Sequence, residues 1–139
     1  MAKYAALGAL LQLGTGGGPY TYTTIPGVQD FSLPLGEVDL IDVTSHDSPN
    51  GYEENVAGIK RTSPFTVPIV WDGSNTQHAA LVTAQQDGTV VHLKATGKES
   101  TPKTYTFDAL VRSIELQFSV GGAQMAQVSI KPTGAITIA

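Results

Sequence analysis

The sequence predicts a mainly β fold, two packed antiparallel sheets forming a β-sandwich or partial barrel with one flanking α-helix. Three observations carry this. Apolar residues recur at every second position through several segments, the spacing that lines one face of a strand. Only one segment carries both a helix start and a helix stop. Clusters of Gly, Pro, Asn and Ser separate the periodic runs, as turns between strands do.

Residues 1–20 are expected to form a flexible N-terminal arm, because Gly14-Thr15-Gly16-Gly17-Gly18-Pro19 breaks any periodicity there. A single domain over residues 21–139 follows, with a long polar loop at 45–61. Phe65 to Trp71 alternates, and Pro68 marks that strand as an edge or a bulge. Ser74 is the expected helix cap with Gln77 as its reciprocal partner; Ala79 to Gln86 propagate the helix, Leu81 and Val82 face the sheet, and Gly88 closes it. Val90 to Ala95 alternates again. Tyr105, Phe107, Ala109 and Val111 hold one phase, Ile114, Leu116, Phe118 and Val120 the other, so a bulge or strand boundary is expected at Val111-Arg112-Ser113. Gly121-Gly122 turns the chain into Ala126, Val128 and Ile130, before Pro132-Thr133-Gly134 and a short apolar end at Ile136 and Ile138.

The chain has 139 residues, the size of one domain, and only 14% are charged, against about a quarter in an ordinary soluble domain. Its net charge of −4 argues against a domain that grips phosphates, since that binding exchanges counterions for Lys and Arg. Residues 1–59 carry seven acids and one base, net −6, and the remainder seven bases and five acids, net +2. An acidic front and a basic back can stack head to tail, or can simply be solvated. The absence of cysteine excludes disulfides and thiolate metal sites. The apolar run Tyr4–Leu13 lacks a cleavage pattern and is too short to span a bilayer, so the protein is expected to be soluble and intracellular when made.

No chemistry is written in the motifs. Ser45-His46-Asp47 holds the residue types of a triad, but sequence neighbours point apart where nucleophile and base must converge. His46, His78 and His92 have no ligand spacing. The glycine stretch at 14–18 is followed by Pro19 and Tyr20 and lacks the helix that a phosphate cradle needs. Neither enzyme activity nor a cofactor is expected. Tyr105, Phe107 and Phe118 sit in core phase, leaving Tyr20, Tyr22 and Tyr52 free for interfaces.

Ile41-Asp42-Val43-Thr44-Ser45-His46-Asp47-Ser48, Gly51-Tyr52-Glu53-Glu54 and Ala57-Gly58-Ile59-Lys60 together resemble the strand and long-loop signature of non-contractile phage tail tube proteins. Asp72-Gly73-Ser74-Asn75 before a helix, Thr106 to Val111 with Ser113 to Leu116, and Lys131-Pro132-Thr133-Gly134 follow in that family's order. The likeness covers roughly Thr23 to Ala139. It implies two packed sheets and a helix, six-membered rings whose sheets join an inner barrel, and rings stacked into the tail of a virion, assembled in the host cytoplasm. The implied partners are further copies of the chain, tape-measure protein, tail terminator and distal tail proteins, with DNA passing through unbound and no membrane involved. Asp47, Tyr52, Glu53, Glu54, Asn55 and Ile59 would then contact the next ring, with Lys60, Arg61, Lys94 and Lys98 as basic counterparts. Asp42, Thr44, Thr106, Asp108, Glu115 and Gln117 would line the lumen, or else sit as solvated residues on the outer sheet. A tube protein of a bacterial secretion apparatus or gene-transfer particle would share these features. A monomeric β-sandwich binding module should instead show an aromatic or acidic cluster on one rim.

Overall fold

The computed structural model describes residues 3–15 and 19–139. Eight strands and one α-helix are present among the described residues: β1 (Leu10–Thr15), β2 (Thr21–Thr24), β3 (Glu37–Asp42), β4 (Asn55–Arg61), β5 (Phe65–Val70), α1 (Thr76–Asp87), β6 (Val90–Thr96), β7 (Thr104–Gln117) and β8 (Met125–Ile138). Six strands form one antiparallel sheet in the order β2-β1-β6-β7-β8-β5, and β3 pairs with β4 in a second, two-stranded sheet. The mainly β class with two antiparallel sheets and one helix is as the periodicity indicates, but the strands divide six to two.

The core lies on one face of the large sheet, where Leu11, Val67, Leu93, Phe107, Val128 and Ile130 are buried, with Leu81 and Ala84 of α1 and Trp71 packed in. Each such side chain contributes roughly 1.5–3 kcal/mol. Arg112 is the extra residue between the pairs Val111↔Ile130 and Ser113↔Ser129, so Ile114 returns to the core side opposite Val128. The expected bulge is there, and it keeps both halves of β7 on one core. Pro68 lies in β5, an edge strand, as its missing amide requires.

Three sequence expectations need correction. The N-terminal arm is not free throughout: β1 lies inside the sheet between β2 and β6, with Leu11 and Leu13 buried. Leu10, apolar on the opposite face, hides the alternation. Met1, Ala2 and Gly16 to Gly18 lie outside the described residues. The loop at 45–61 is shorter than expected, because 55–61 is strand β4. Neither face of β4 is buried, so its sequence shows no one-sided apolar pattern. Finally, the helix cap is Asn75, whose side-chain oxygen accepts from the amides of Gln77 (3.0 Å) and His78 (3.2 Å). Ser74 is held by Asp72 instead: its hydroxyl donates to Asp72 Oδ1 at 2.7 Å and its amide to the same oxygen at 3.0 Å. Asn75→Ala should lower stability by about 1 kcal/mol, read as a thermal midpoint about 3 °C lower.

Candidate functional site

The surface that the core does not account for is the β3–β4 hairpin. Ile41 faces Val56 and Leu40 faces Ala57 in adjacent cross-strand pairs, so apolar side chains point to both faces of the ribbon. Leu40 is 71% exposed, Ile59 65% and Ile41 51%. A ribbon with water on both sides gains nothing from those residues until a partner covers them.

The loop joining the two strands is closed at its base. The Val43 amide donates to the Glu54 carbonyl at 2.9 Å, and the Glu54 amide donates to Thr44 Oγ1 at 2.8 Å. At the tip, Ser48 is buried and its hydroxyl accepts from the Ser45 amide at 2.9 Å. A one-turn 3₁₀ helix at Pro49–Gly51 follows. Asp47, Tyr52, Glu53 and Asn55 present their side chains outward along this loop, and Glu54 is half-buried. The Thr44 side chain and amide hold the Asp42 carboxyl below its ordinary range. Asp42 and Thr44 are thus tied to each other on the two-stranded hairpin, whereas Thr106, Asp108, Glu115 and Gln117 belong to the six-stranded sheet.

Of the expected basic counterparts, Arg61 is already bonded to Asp39 across the hairpin at 2.8 Å, which raises the guanidinium pKa further. Lys94 lies over the Tyr22 ring at 4.2 Å. Lys60 and Lys98 are exposed.

Thr106, Asp108, Glu115 and Gln117 do come together, on the face of the large sheet opposite the core. Asp108 Oδ1 accepts from His92 Nδ1 at 2.6 Å, and Tyr20 stacks on His92 with ring centroids 3.9 Å apart. Tyr20 and Tyr22, expected to be free, are therefore engaged within the chain, and Tyr52 alone of the three is open, at 73% exposure. Sequence reasoning missed this cluster, because it depends on the β1–β2 and β1–β6 registers that set Gly14 beside both Tyr22 and His92. The sign was available: His92 and Lys94 fall in the polar phase of β6, and Tyr22 stands in β2 opposite Gly14. Lys131, whose ammonium donates to the Thr62 carbonyl, stands on the same face.

Among the described residues, no three His, Asp or Glu side chains converge as metal ligands, and no helix is long and apolar enough to cross a membrane. Ser45 Oγ accepts from the Asp47 amide, a turn contact and not a relay.

The described residues thus present a single buried core, an apolar ribbon displayed on both faces and a sheet face of mixed charge on which the Val90–Leu110 pair is also exposed. The sequence matches the model of the phage tail tube protein over residues 8–138, and the chain belongs to that family. It is a structural virion component of the tail. A search of curated proteins gives no sequence match. In fold, the chain is similar to the tail of an empty gene transfer agent particle refined with C6 symmetry (TM-score 0.74, 19% identity, 94% of each chain covered). It is also similar to the SPP1 tail tube (0.70, 15%, 96% of this chain and 78% of that one). A further likeness is to the PVC sheath/tube terminator of an extracellular contractile injection system (0.74, 10%, 100% and 98%).

Proposed function

We propose that this chain closes into six-membered rings that stack into the tail tube, and that the β3–β4 hairpin with its loop seats on a neighbouring subunit. The observation that carries this reading is the hairpin's apolar display on both faces. Family membership and the C6 symmetry of a similar tail support the ring. The subunit performs no catalysis. Its rings form in the host cytoplasm along a tape-measure protein, are ended by terminator and distal tail proteins, and pass DNA without gripping it.

Thr106, Asp108, Glu115 and Gln117 line the bore in this reading. Their sheet face also carries His92, Lys94 and Lys131, so the wall is polar and of mixed sign. Such a wall offers phosphates no continuous basic track. Purified protein viewed by electron microscopy should show stacked rings with an open channel; a particle that stays monomeric at all concentrations overturns the proposal.

Glu53 and Glu54 are proposed to meet Lys60 or Lys98 of the adjacent subunit, the two exposed candidates. Rim charges of this kind act through long-range attraction that salt screens within about 10 Å. Replacing both, Glu53→Lys with Glu54→Lys, should slow tube growth about tenfold at low salt and much less at high salt, followed by light scattering. Equal growth of the two proteins at low salt refutes the pairing.

A further inference from the structure

The sequence holds three asparagines, Asn50, Asn55 and Asn75, and the fold leaves one of them unengaged. Asn75 uses its side-chain oxygen as the cap of α1 and precedes Thr76. In β4 the Asn55 side-chain amide donates to Glu53 Oε1 at 3.2 Å, and Val56 follows. Asn50 stands exposed at the tip of the loop between β3 and β4, and among the described residues no side-chain bond holds it. Its backbone is left-handed, with φ of 56° and ψ of 20°, and it is the one non-glycine residue of positive φ among the described residues. Asparagine tolerates that conformation better than most side chains do. The residue after it is Gly51.

An asparagine before a glycine can react with its own backbone. The Gly51 nitrogen loses its proton to hydroxide and attacks Asn50 Cγ. A C–N bond forms, the bond from Cγ to Nδ2 breaks, and ammonia leaves with a proton from solvent, so that a five-membered succinimide closes. Water then opens the ring at either carbonyl. One opening gives aspartate; the other gives isoaspartate, whose backbone runs through the side-chain carbon. The net change is one water consumed and one ammonia released, with nothing oxidised or reduced.

The loop favours this reaction at Asn50. A Cβ added to Gly51 would meet nothing within 4 Å, so neither its own side chain nor a neighbour shields the attacking nitrogen. At the other two asparagines the following residue is β-branched and crowds it. Attack requires Asn50 to turn out of its ψ of 20°, and two backbone bonds resist: the Gly51 amide to the Ser48 carbonyl at 3.3 Å, longer than usual, and the Tyr52 amide to the Pro49 carbonyl at 3.1 Å. Opening one exposed turn costs far less than unfolding the domain. We propose that Asn50–Gly51 is a site of spontaneous succinimide formation and deamidation in the folded, unassembled subunit, and that the products fit the next ring poorly. Both products add a carboxylate to a loop that already carries Asp47, Glu53 and Glu54. Isoaspartate also lengthens the backbone by one methylene at the turn's left-handed residue. The assembly half rests on the reading of this loop as a ring contact; the modification does not.

The test is to hold the free wild-type chain at mildly alkaline pH and follow each asparagine by peptide mapping with mass spectrometry. The Asn50 peptide should gain the mass difference between an amide and a carboxylic acid and split into aspartate and isoaspartate forms. It should convert about tenfold faster than the peptides holding Asn55 or Asn75, and faster still as pH rises, because the attacking nitrogen must be deprotonated. Gly51→Ala, whose Cβ shields that nitrogen, should slow the conversion about tenfold, with a thermal melt to show that it folds. If Gly51→Ala does not fold, the wild-type map decides alone. An unconverted Asn50, conversion no faster than at Asn55 and Asn75, or a folded Gly51→Ala that converts as fast as wild type, overturns the modification site. Converted chain, separated from unconverted by anion exchange, should grow tubes about tenfold more slowly by light scattering. Equal growth of the two overturns the assembly half. A wild type that forms no tubes overturns the ring reading and with it the assembly half, and the map still decides the modification.

Discussion

Leu40→Asp combined with Ile41→Asp is expected to give a folded monomer that forms no tubes at concentrations where the wild type polymerises. The two residues point to opposite faces of the hairpin, so the pair places one carboxylate on each. Both are more than half exposed in the single chain, and exposed substitutions cost only about 0.5 kcal/mol of folding stability. In an assembly the balance changes. Covering a Leu or Ile contributes roughly 1.5–3 kcal/mol, and covering an unpaired carboxylate costs several more. Two such reversals in each subunit weaken association by more than about a thousandfold. Sedimentation velocity with a thermal melt separates the two effects. Tubes forming at the wild-type threshold would show that the hairpin is not a contact surface.

The hairpin's own stability bears on the same point. A lone two-stranded ribbon is marginal in water. Here it has one exposed, solvent-screened ion pair, Arg61 with Asp39, and the Thr44–Glu54 bonds that close its loop. Those contacts help fix its register, whereas its apolar residues stay largely exposed in the single chain. The element proposed for assembly is therefore one that draws little on the core for its own stability.

This division explains what the sequence discloses. Strands β5 to β8 bury one face, and the burial is written as apolar residues at every second position; even the bulge at Arg112 appears as a one-residue slip in that pattern. β4 buries neither face, so Asn55–Arg61 reads as loop although its backbone is a strand. β1 shows alternation for only a few residues before Gly14, and its place depends on pairing with β6, about 80 residues away. The candidate site divides similarly. The polar phase of β7 puts Thr106, Asp108, Glu115 and Gln117 on one sheet face, while Asp42 and Thr44 belong to a ribbon whose position the pattern cannot supply.

His78 is the clearest case of a residue whose role only the fold reveals, and His78→Leu is expected to cost about 3 kcal/mol. The side chain is buried and stacked on Trp71 with ring centroids 4.8 Å apart. Its Nδ1 accepts from the Asp72 amide at 3.1 Å, and its Nε2–H donates to the Pro26 carbonyl at 2.7 Å. Nδ1 also lies 3.1 Å from the Asp72 carbonyl oxygen, and because a carbonyl can only accept, it is Nε2 that carries the proton given to Pro26. The imidazole ties the first turn of α1 to the end of β5 and to the residue preceding Gly27, whose carbonyl accepts from the Val70 amide. Leucine keeps the apolar volume but leaves both backbone groups without partners, at about 1–3 kcal/mol each. The thermal midpoint should fall by about 10 °C. His78→Gln, which keeps a donor for the Pro26 carbonyl, should recover about half of the loss. Trp71 is the chain's single tryptophan, so its fluorescence during urea unfolding reports on this site directly. A His78→Leu protein within about 1 kcal/mol of wild type would show that solvent or a shifted backbone satisfies these groups, and that the imidazole does not fasten these segments.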